Sequence, residues 1–316
     1  MSKRRIIRNI ILVLLGLVAV FFLVVVPLFF TYLITSARFH FPDRNDGKTP
    51  QSYSLSYQSV EFHSSDGILL RGWYVPGGPD AHGTIVYCHG RNRSRVEMLP
   101  MAVFGHSLGY NGLLFDFRDS GKSGGKIGTL GYKERLDAIA AVHYALEKEK
   151  AARPVILWGV SMGAAASLMA ASDTPDVAAV ISDSSFLSFR HVIVHHAHLF
   201  FHVPSFPIVD EAIYWSAWRG GFWPSDFDLR NAVKHINPRP ILFIAVEGDR
   251  RITPESKESL DCRSRPPPRR RIHLRARTLR AGGEEVSCKS VHLNSPHPSL
   301  RAGLKCLQRA VCLNLN

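Results

Sequence analysis

Val155-Ile156-Leu157-Trp158-Gly159-Val160-Ser161-Met162-Gly163-Ala164-Ala165-Ala166-Ser167 is the stretch on which the reading of this chain turns. Its first four residues form a short apolar run of strand type, and the residues after Gly163 are small enough for a tightly packed helix. Between them stands Gly-x-Ser-x-Gly. A serine on a sharp strand-to-helix turn has a strained backbone, and glycines two residues to either side let neighbouring chain pass close. The helix N-terminus then favours negative charge beside Ser161. Alone, the five-residue pattern recurs by chance. With the strand before it and the helix after it, it marks Ser161 as a candidate nucleophile.

Working outward, similar short apolar runs recur at Thr84 to Cys88, Gly112 to Phe115, Val177 to Ile181 and Ile241 to Ala245. The first ends in His89-Gly90, the second in Asp116 and the glycine-rich loop Ser120 to Gly125. Tyr132 to Lys150 has helical periodicity through Leu136, Ile139, Ala140, His143 and Leu146. Near the start, Val60-Glu61-Phe62 and Leu69 to Val75 flank the turn Ser65-Asp66-Gly67, which predicts a hairpin. Wholly apolar strands separated by helices predict an α/β fold, a mostly parallel sheet with helices on both faces. Between Ser184 and Pro238 the alternation gives way to an aromatic and His-rich insertion, read as a short lid over about residues 185–235. His191, His195, His198 and His202 fall at helical spacing within it. Such spacing is compatible with a metal site. The preferred reading is an amphipathic lid helix ended by Pro204, with no metal and no cofactor.

The net charge of +13 is unevenly spread. Residues 261–316 hold 12 of the 39 Lys+Arg and 3 of the 26 Asp+Glu, so most of the excess sits there. The body therefore has an ordinary balance, and no nucleic-acid module is seen in it or in the tail. Four of the five cysteines (Cys262, Cys288, Cys306, Cys312) also lie in the tail, which leaves Cys88 as a small core residue. At the other end, Lys3, Arg4, Arg5 and Arg8 precede an uncharged, almost wholly apolar stretch from Asn9 to Ser36. That is long enough to cross a bilayer and too long for a typical cleaved signal, even with Pro27 inside it. The expected plan is a cytoplasmic basic segment at 1–9, a transmembrane anchor at 10–34 and a linker at 35–57. A globular domain follows at 58–260, on the non-cytoplasmic side by the positive charge before the span.

Ile85-Val86-Tyr87 before His89-Gly90-Arg91, then Asp116-Phe117-Arg118-Asp119-Ser120-Gly121, then the Ser161 turn, occur in an order that resembles the α/β-hydrolases. The nearest likeness is to the anchored, small-lidded subgroup known as serine aminopeptidase-like or acylaminoacyl-peptidase-like. The resemblance implies the α/β-hydrolase fold over about residues 58–260, preceded by one transmembrane helix. It also implies an acyl-enzyme on Ser161, formed from a small ester, thioester or amide. Backbone N–H groups of Met162 and Arg91 would form the oxyanion hole. The acid-bearing loop resembles Val246-Glu247-Gly248-Asp249, making Asp249 the implied acid, with Asp183 in reserve and Asp119 shaping its own turn.

The resemblance fails where a histidine is needed to take the proton from Ser161. A helix and a strand after Asp249 would bring it near position 279, where Arg277-Thr278-Leu279-Arg280 stands instead. Residues 261–316 contain no Phe, Trp or Tyr and open on an Arg- and Pro-rich run. A one-base shift of the reading frame near residue 260 accounts for these features together. Arg and Cys codons share a middle G, and a chosen set of synonymous codons read one base later gives a helix, a strand and Pro-Gly-His. The other reading is a natural basic extension. Either way the tail is expected to be disordered, and His273, His292 and His297 have no assigned role. A hydrolase impaired by a lost base thus stands beside a non-catalytic anchored protein that keeps the pocket.

Overall fold

The described residues form eight strands, the inner ones where the apolar runs lie, because a strand buried on both faces has no need of polar alternation. They are β1 (Gln58–His63), β2 (Leu69–Val75), β3 (Thr84–Cys88), β4 (Asn111–Asp116), β5 (Val155–Val160), β6 (Val177–Asp183), β7 (Ile241–Val246) and β8 (Ile272–Arg277). The computed structural model describes residues 3–37, 39–147, 149–203, 205–246, 250–251 and 272–277. One sheet holds all eight strands in the order β1-β2-β4-β3-β5-β6-β7-β8. The predicted hairpin of β1 and β2 is antiparallel, as is β2 against β4. From β4 through β3, β5 and β6 to β7 every pairing is parallel.

Every residue of β3 and β4 is buried, and the two-residue period divides them between two cores. Val86, Cys88, Leu113, Phe115 and Leu157 face one cluster; Ile85, Tyr87, Leu114, Ile156 and Trp158 face the other. Cys88 is thus the core residue expected from its apolar surroundings. The first cluster is covered by α4 (Glu134–Glu147), α5 (Met162–Asp173) and α8 (Leu229–Ile236), the second chiefly by α3 (Leu99–Ser107). Because α8 packs on α5, it belongs to the body of the fold. The insertion that stands apart is therefore shorter than the sequence suggested: α6 (Phe189–His196), a π-helical turn Ala197–Phe201, a second at Ser205–Val209, and α7 (Asp210–Gly220). Pro204, expected to end the lid helix, lies outside the described residues.

At the N-terminus one helix runs from Lys3 to Thr35 and is long and apolar enough to cross a membrane. It comprises α1 (Lys3–Val20), a π turn at Phe21–Val25, and α2 (Val26–Thr35). Pro27 accounts for the π turn. Proline has no N–H to donate and crowds the carbonyl four residues back, and the widened turn lets Val26 N–H reach the Phe21 carbonyl instead. Residues 3–25 are exposed, whereas Pro27, Thr31 and Thr35 are buried against α7. The following segment, expected to be a linker, is tied to the body. Ala37 N–H donates to Asp119 Oδ2 at 2.8 Å, and Phe41 N–H donates to the Asn92 carbonyl at 2.9 Å.

A buried ion pair fixes the β1–β2 turn to the loop after β4. Arg118, with a side chain 4% exposed, donates to Asp137 at 2.6 Å and to Asp66 at 2.7 Å. Burial alone would depress the guanidinium, but the bonds to Asp137 and Asp66 outweigh it and hold Arg118 charged. The same bond, helped by Ser64, holds the Asp66 carboxyl at about 2 against its partial burial. Removing Arg118 leaves Asp137 buried without its counter-charge, a change that typically costs about 3–5 kcal/mol. The Arg118→Ala variant is accordingly expected to unfold at much lower denaturant concentration than the parent chain in the same detergent. Asp66→Asn is expected to destabilise at neutral pH. Because the Asp66 carboxyl is lowered from an ordinary value of about 3.9, its contribution is complete above that value and fades as pH falls towards about 2. Unfolding measured across that window should show the gap between the parent and Asp66→Asn closing with acid; a gap independent of pH would contradict the assignment.

Candidate active site

Ser161 stands at the tip of the turn between β5 and α5 with φ 52° and ψ −112°, a conformation that costs an ordinary side chain strain. The strain is held from two sides. Ser161 N–H donates to the Asp183 carbonyl at 2.8 Å, and the Ser161 carbonyl accepts from Ala165 N–H in the first turn of α5. The flanking glycines are required by space. A Cβ on Gly159 would lie 2.2 Å from the Gly163 carbonyl oxygen, and one on Gly163 would lie 2.1 Å from that of Cys88. The end of β3, the end of β5 and the start of α5 therefore touch backbone to backbone. This is also where the order of strand connections reverses, with β4 on one side of β3 and β5 on the other. In open α/β sheets, ligands bind in the crevice at the carboxyl ends of strands beside such a reversal.

The residues after β3 are positioned by their neighbours. His89 is fully buried, its Nδ1 2.7 Å from the Gly90 carbonyl and its Nε2 3.0 Å from Phe117 N–H. A backbone N–H can only donate and a carbonyl can only accept. The ring is therefore the tautomer that carries its proton on Nδ1, joining the loops after β3 and β4. In a trans peptide the C=O and N–H point opposite ways, so anchoring the Gly90 carbonyl also sets the direction of Arg91 N–H. Gly90 N–H donates to Glu97 Oε2 at 2.6 Å. Arg91 sends its side chain the other way, donating to the carbonyls of Leu33 at 2.8 Å and Ser36 at 2.9 Å at the end of α2. Burial pulls this guanidinium down to about 10, while Glu134 and Asp119 act in the opposite direction. Met162 opens α5, where the first N–H groups of a helix lack intrahelical acceptors. The contacts of His89 and of the Arg91 side chain were not read from the sequence. A charged residue directly after an apolar strand and His-Gly was the available signal.

Asp183 ends β6 opposite Val160, and Ser184 Oγ donates to its Oδ1 at 2.8 Å. Asp119 accepts Ala37 N–H and has φ 56°, the turn-shaping part expected of it. Asp249 lies outside the described residues, as do His292 and His297. The tail segment expected to be disordered includes β8, which pairs antiparallel with β7. Its register sets His273 opposite Ala245, near the carboxyl end of β7 and three strands from β5. At the usual strand spacing that sets its backbone on the order of 14 Å from β5. The antiparallel direction also carries the chain to Arg277, opposite Ile241, at the other end of β7 from the Ser161 edge. Burial pushes the Cys88 thiol up to about 12, which removes it as a competing nucleophile.

The insertion leaves the carboxyl edge of the sheet after β6. His195 Nε2 donates to the Arg250 carbonyl at 2.6 Å and His196 Nε2 to that of Arg251 at 3.2 Å, joining α6 to the chain beyond β7. The π-helical turn from Ala197 rotates His198 and His202 out of the simple spacing read from the sequence. Among the described residues no group of three or more His, Cys, Asp or Glu is placed to hold a metal ion.

Comparison with known proteins agrees with this geometry. Residues 83–203 match the family model described as the alpha/beta hydrolase fold. Uncharacterized protein YqkD of Bacillus subtilis is 29% identical over 208 residues, covering 65% of this chain and 67% of its own. An uncharacterized membrane protein of Saccharomyces cerevisiae is 26% identical over 151 residues, covering 48% of this chain and 53% of its own. The solved esterase Pf2001 of Pyrococcus furiosus superposes with a TM-score of 0.56 and 26% identity, over 70% of this chain and 80% of that one. With its strand order, its reversal at β3 and these matches, the chain has the α/β-hydrolase fold.

Proposed function

We propose that the protein is a membrane-anchored serine hydrolase that cleaves small esters, thioesters or amides through an acyl-enzyme on Ser161. The observation that carries this reading is the strained Ser161 backbone at the β5–α5 turn, kept there by glycines that have no room for a side chain. A fold gains nothing from such strain unless it presents the serine. Attack by Oγ on the substrate carbonyl forms the Oγ–C bond and transfers the hydroxyl proton to a base. Negative charge then develops on the former carbonyl oxygen. The N–H groups of Met162 and Arg91 are the proposed donors to that oxygen, a contribution worth about 2.7–4 kcal/mol per donor in a serine hydrolase. Collapse expels the alcohol, thiol or amine, and water releases the acyl group. Asp249 is the proposed acid that orients the base. Of the three substrate types, the ester is favoured by the likeness to the Pyrococcus furiosus esterase. The aminopeptidase-like subgroup rests on sequence likeness alone.

A second reading has its own support. The sequence has no histidine at 277–280, and β8 runs antiparallel to β7, carrying the chain away from the Ser161 edge, which supports a binding protein that keeps the fold without the base. The two readings separate in one assay. Full-length protein in detergent is expected to hydrolyse a chromogenic short-chain ester, and Ser161→Ala to reduce that rate to the background of an empty preparation. An identical rate in the variant would remove the hydrolase reading. General-base assistance supplies about 10²–10⁴-fold. A chain read one base later after Leu260 is accordingly expected to be faster by about that factor. Equal Ser161-dependent rates would assign the base to a histidine of the present sequence.

A further inference from the structure

The lid carries an apolar surface that the fold leaves uncovered. Phe206, Trp218 and Trp223 are 79%, 76% and 70% exposed, and Phe200, Tyr214 and Trp215 extend the same character. Its two helical arms, Phe189–Phe201 and Ser205–Gly220, meet at 118° and together are as apolar as a membrane-crossing segment. This surface adjoins the anchor: α2 packs along α7, and the Phe30 and Phe201 rings meet edge to face with centroids 5.0 Å apart.

Helix length sets the depth of that contact. The free apolar part of the anchor, Ile10 to Val25, has 16 residues. At 1.5 Å per residue it spans about 24 Å, roughly 6 Å short of a hydrocarbon core of about 30 Å. The missing length must come from the first turn or so of α2, which is where the lid is seated. Tryptophan and tyrosine favour this boundary, being apolar in body and polar at the tip. Lid and anchor also bracket the candidate active site. Arg91, after β3, holds the end of α2, and α6 is bonded to the chain after β7; β5 with Ser161 lies between those strands.

We propose that the exposed aromatic face of the lid seats in the headgroup boundary of the bilayer beside α2, so that Ser161 takes esters bearing a long acyl chain from the leaflet. The substrate half of this inference rests on the hydrolase reading; the docking half rests on the N-terminal helix crossing the membrane. Of the five tryptophans, Trp215 and Trp218 are in the lid and Trp223 directly follows it, none is in residues 1–36, and Trp73 and Trp158 are buried in the core. Quenching of tryptophan emission by bromine carried on lipid in phosphatidylcholine vesicles therefore reports on the lid and Trp223. Lipids brominated near the headgroup end of the acyl chain are expected to quench it, and Trp218→Ser with Trp223→Ser to remove about half or more of the quenching. Equal emission in plain and brominated vesicles would overturn docking. So would emission that ignores bromine and changes only with the protein-to-lipid ratio, which would instead assign the face to a second copy of this chain. In the same vesicles, the double serine variant is expected to lose Ser161-dependent hydrolysis of a long-chain ester dissolved in the bilayer while keeping that of a short soluble ester. Trp218→Phe with Trp223→Phe should keep both. Equal loss on the two esters would overturn the leaflet route. Quenching needs no turnover, so bromine-dependent quenching in a chain without esterase activity would uphold docking and remove the hydrolase reading.

Discussion

The contact between the end of β3 and the first turn of α5 is the constraint on which the site depends. It is made of backbone on both sides, Gly163 lying against the carbonyls of Cys88 and His89. Any side chain at 163 would push α5 away from the sheet, and with it the turn that holds Ser161. The same approach brings the residue after His89-Gly90 level with the start of α5 without any direct side-chain bond to Ser161. His89 then converts the approach into direction by bonding the Gly90 carbonyl and Phe117 N–H. A buried imidazole with both nitrogens engaged resists rotation, which makes it a strut between two loops.

From this point the structure extends outward to the N-terminal helix. Arg91 belongs to the loop beside Ser161, yet its guanidinium closes the carbonyl end of α2. The last carbonyls of a helix lack intrahelical partners and carry partial negative charge, so a cation there meets two needs at once. Thr31 and Thr35 complete the joint. Thr35 Oγ1 donates to the Thr31 carbonyl at 2.7 Å, while Thr31 Oγ1 lies 3.5 Å from the carbonyl of Ala212 in α7. The N-terminal helix, the lid and the loop after β3 thus form one packed unit, and removal of residues 1–36 would strip acceptors from an enclosed arginine.

Much of the fold was legible because buried parallel strands are written as plain apolar runs. Thr84 to Cys88 is the strand as read, and Val155 to Trp158 needs only Gly159 and Val160 added. The turn at Ser161 was legible for the same reason: its glycines answer to contacts that any sequence with this fold must make. The lid was harder. Its π-helical turns break the 3.6-residue period, and it bonds α2 across 181 residues of chain, so local pattern carries no trace of the contact. The face of α2 that packs is its threonine side, hidden in a hydropathy reading by the apolar residues around it. The direction of β8 was equally closed to inspection, because alternation fixes which residues share a face and leaves strand polarity open.

The central claim is that Ser161 is the reacting group, and covalent capture tests it most directly. Full-length protein treated with a fluorophosphonate probe and digested is expected to carry the adduct on the peptide containing Gly159-Val160-Ser161-Met162-Gly163, with none in Ser161→Ala. An adduct on another residue, or equal labelling of parent and variant, would contradict the account.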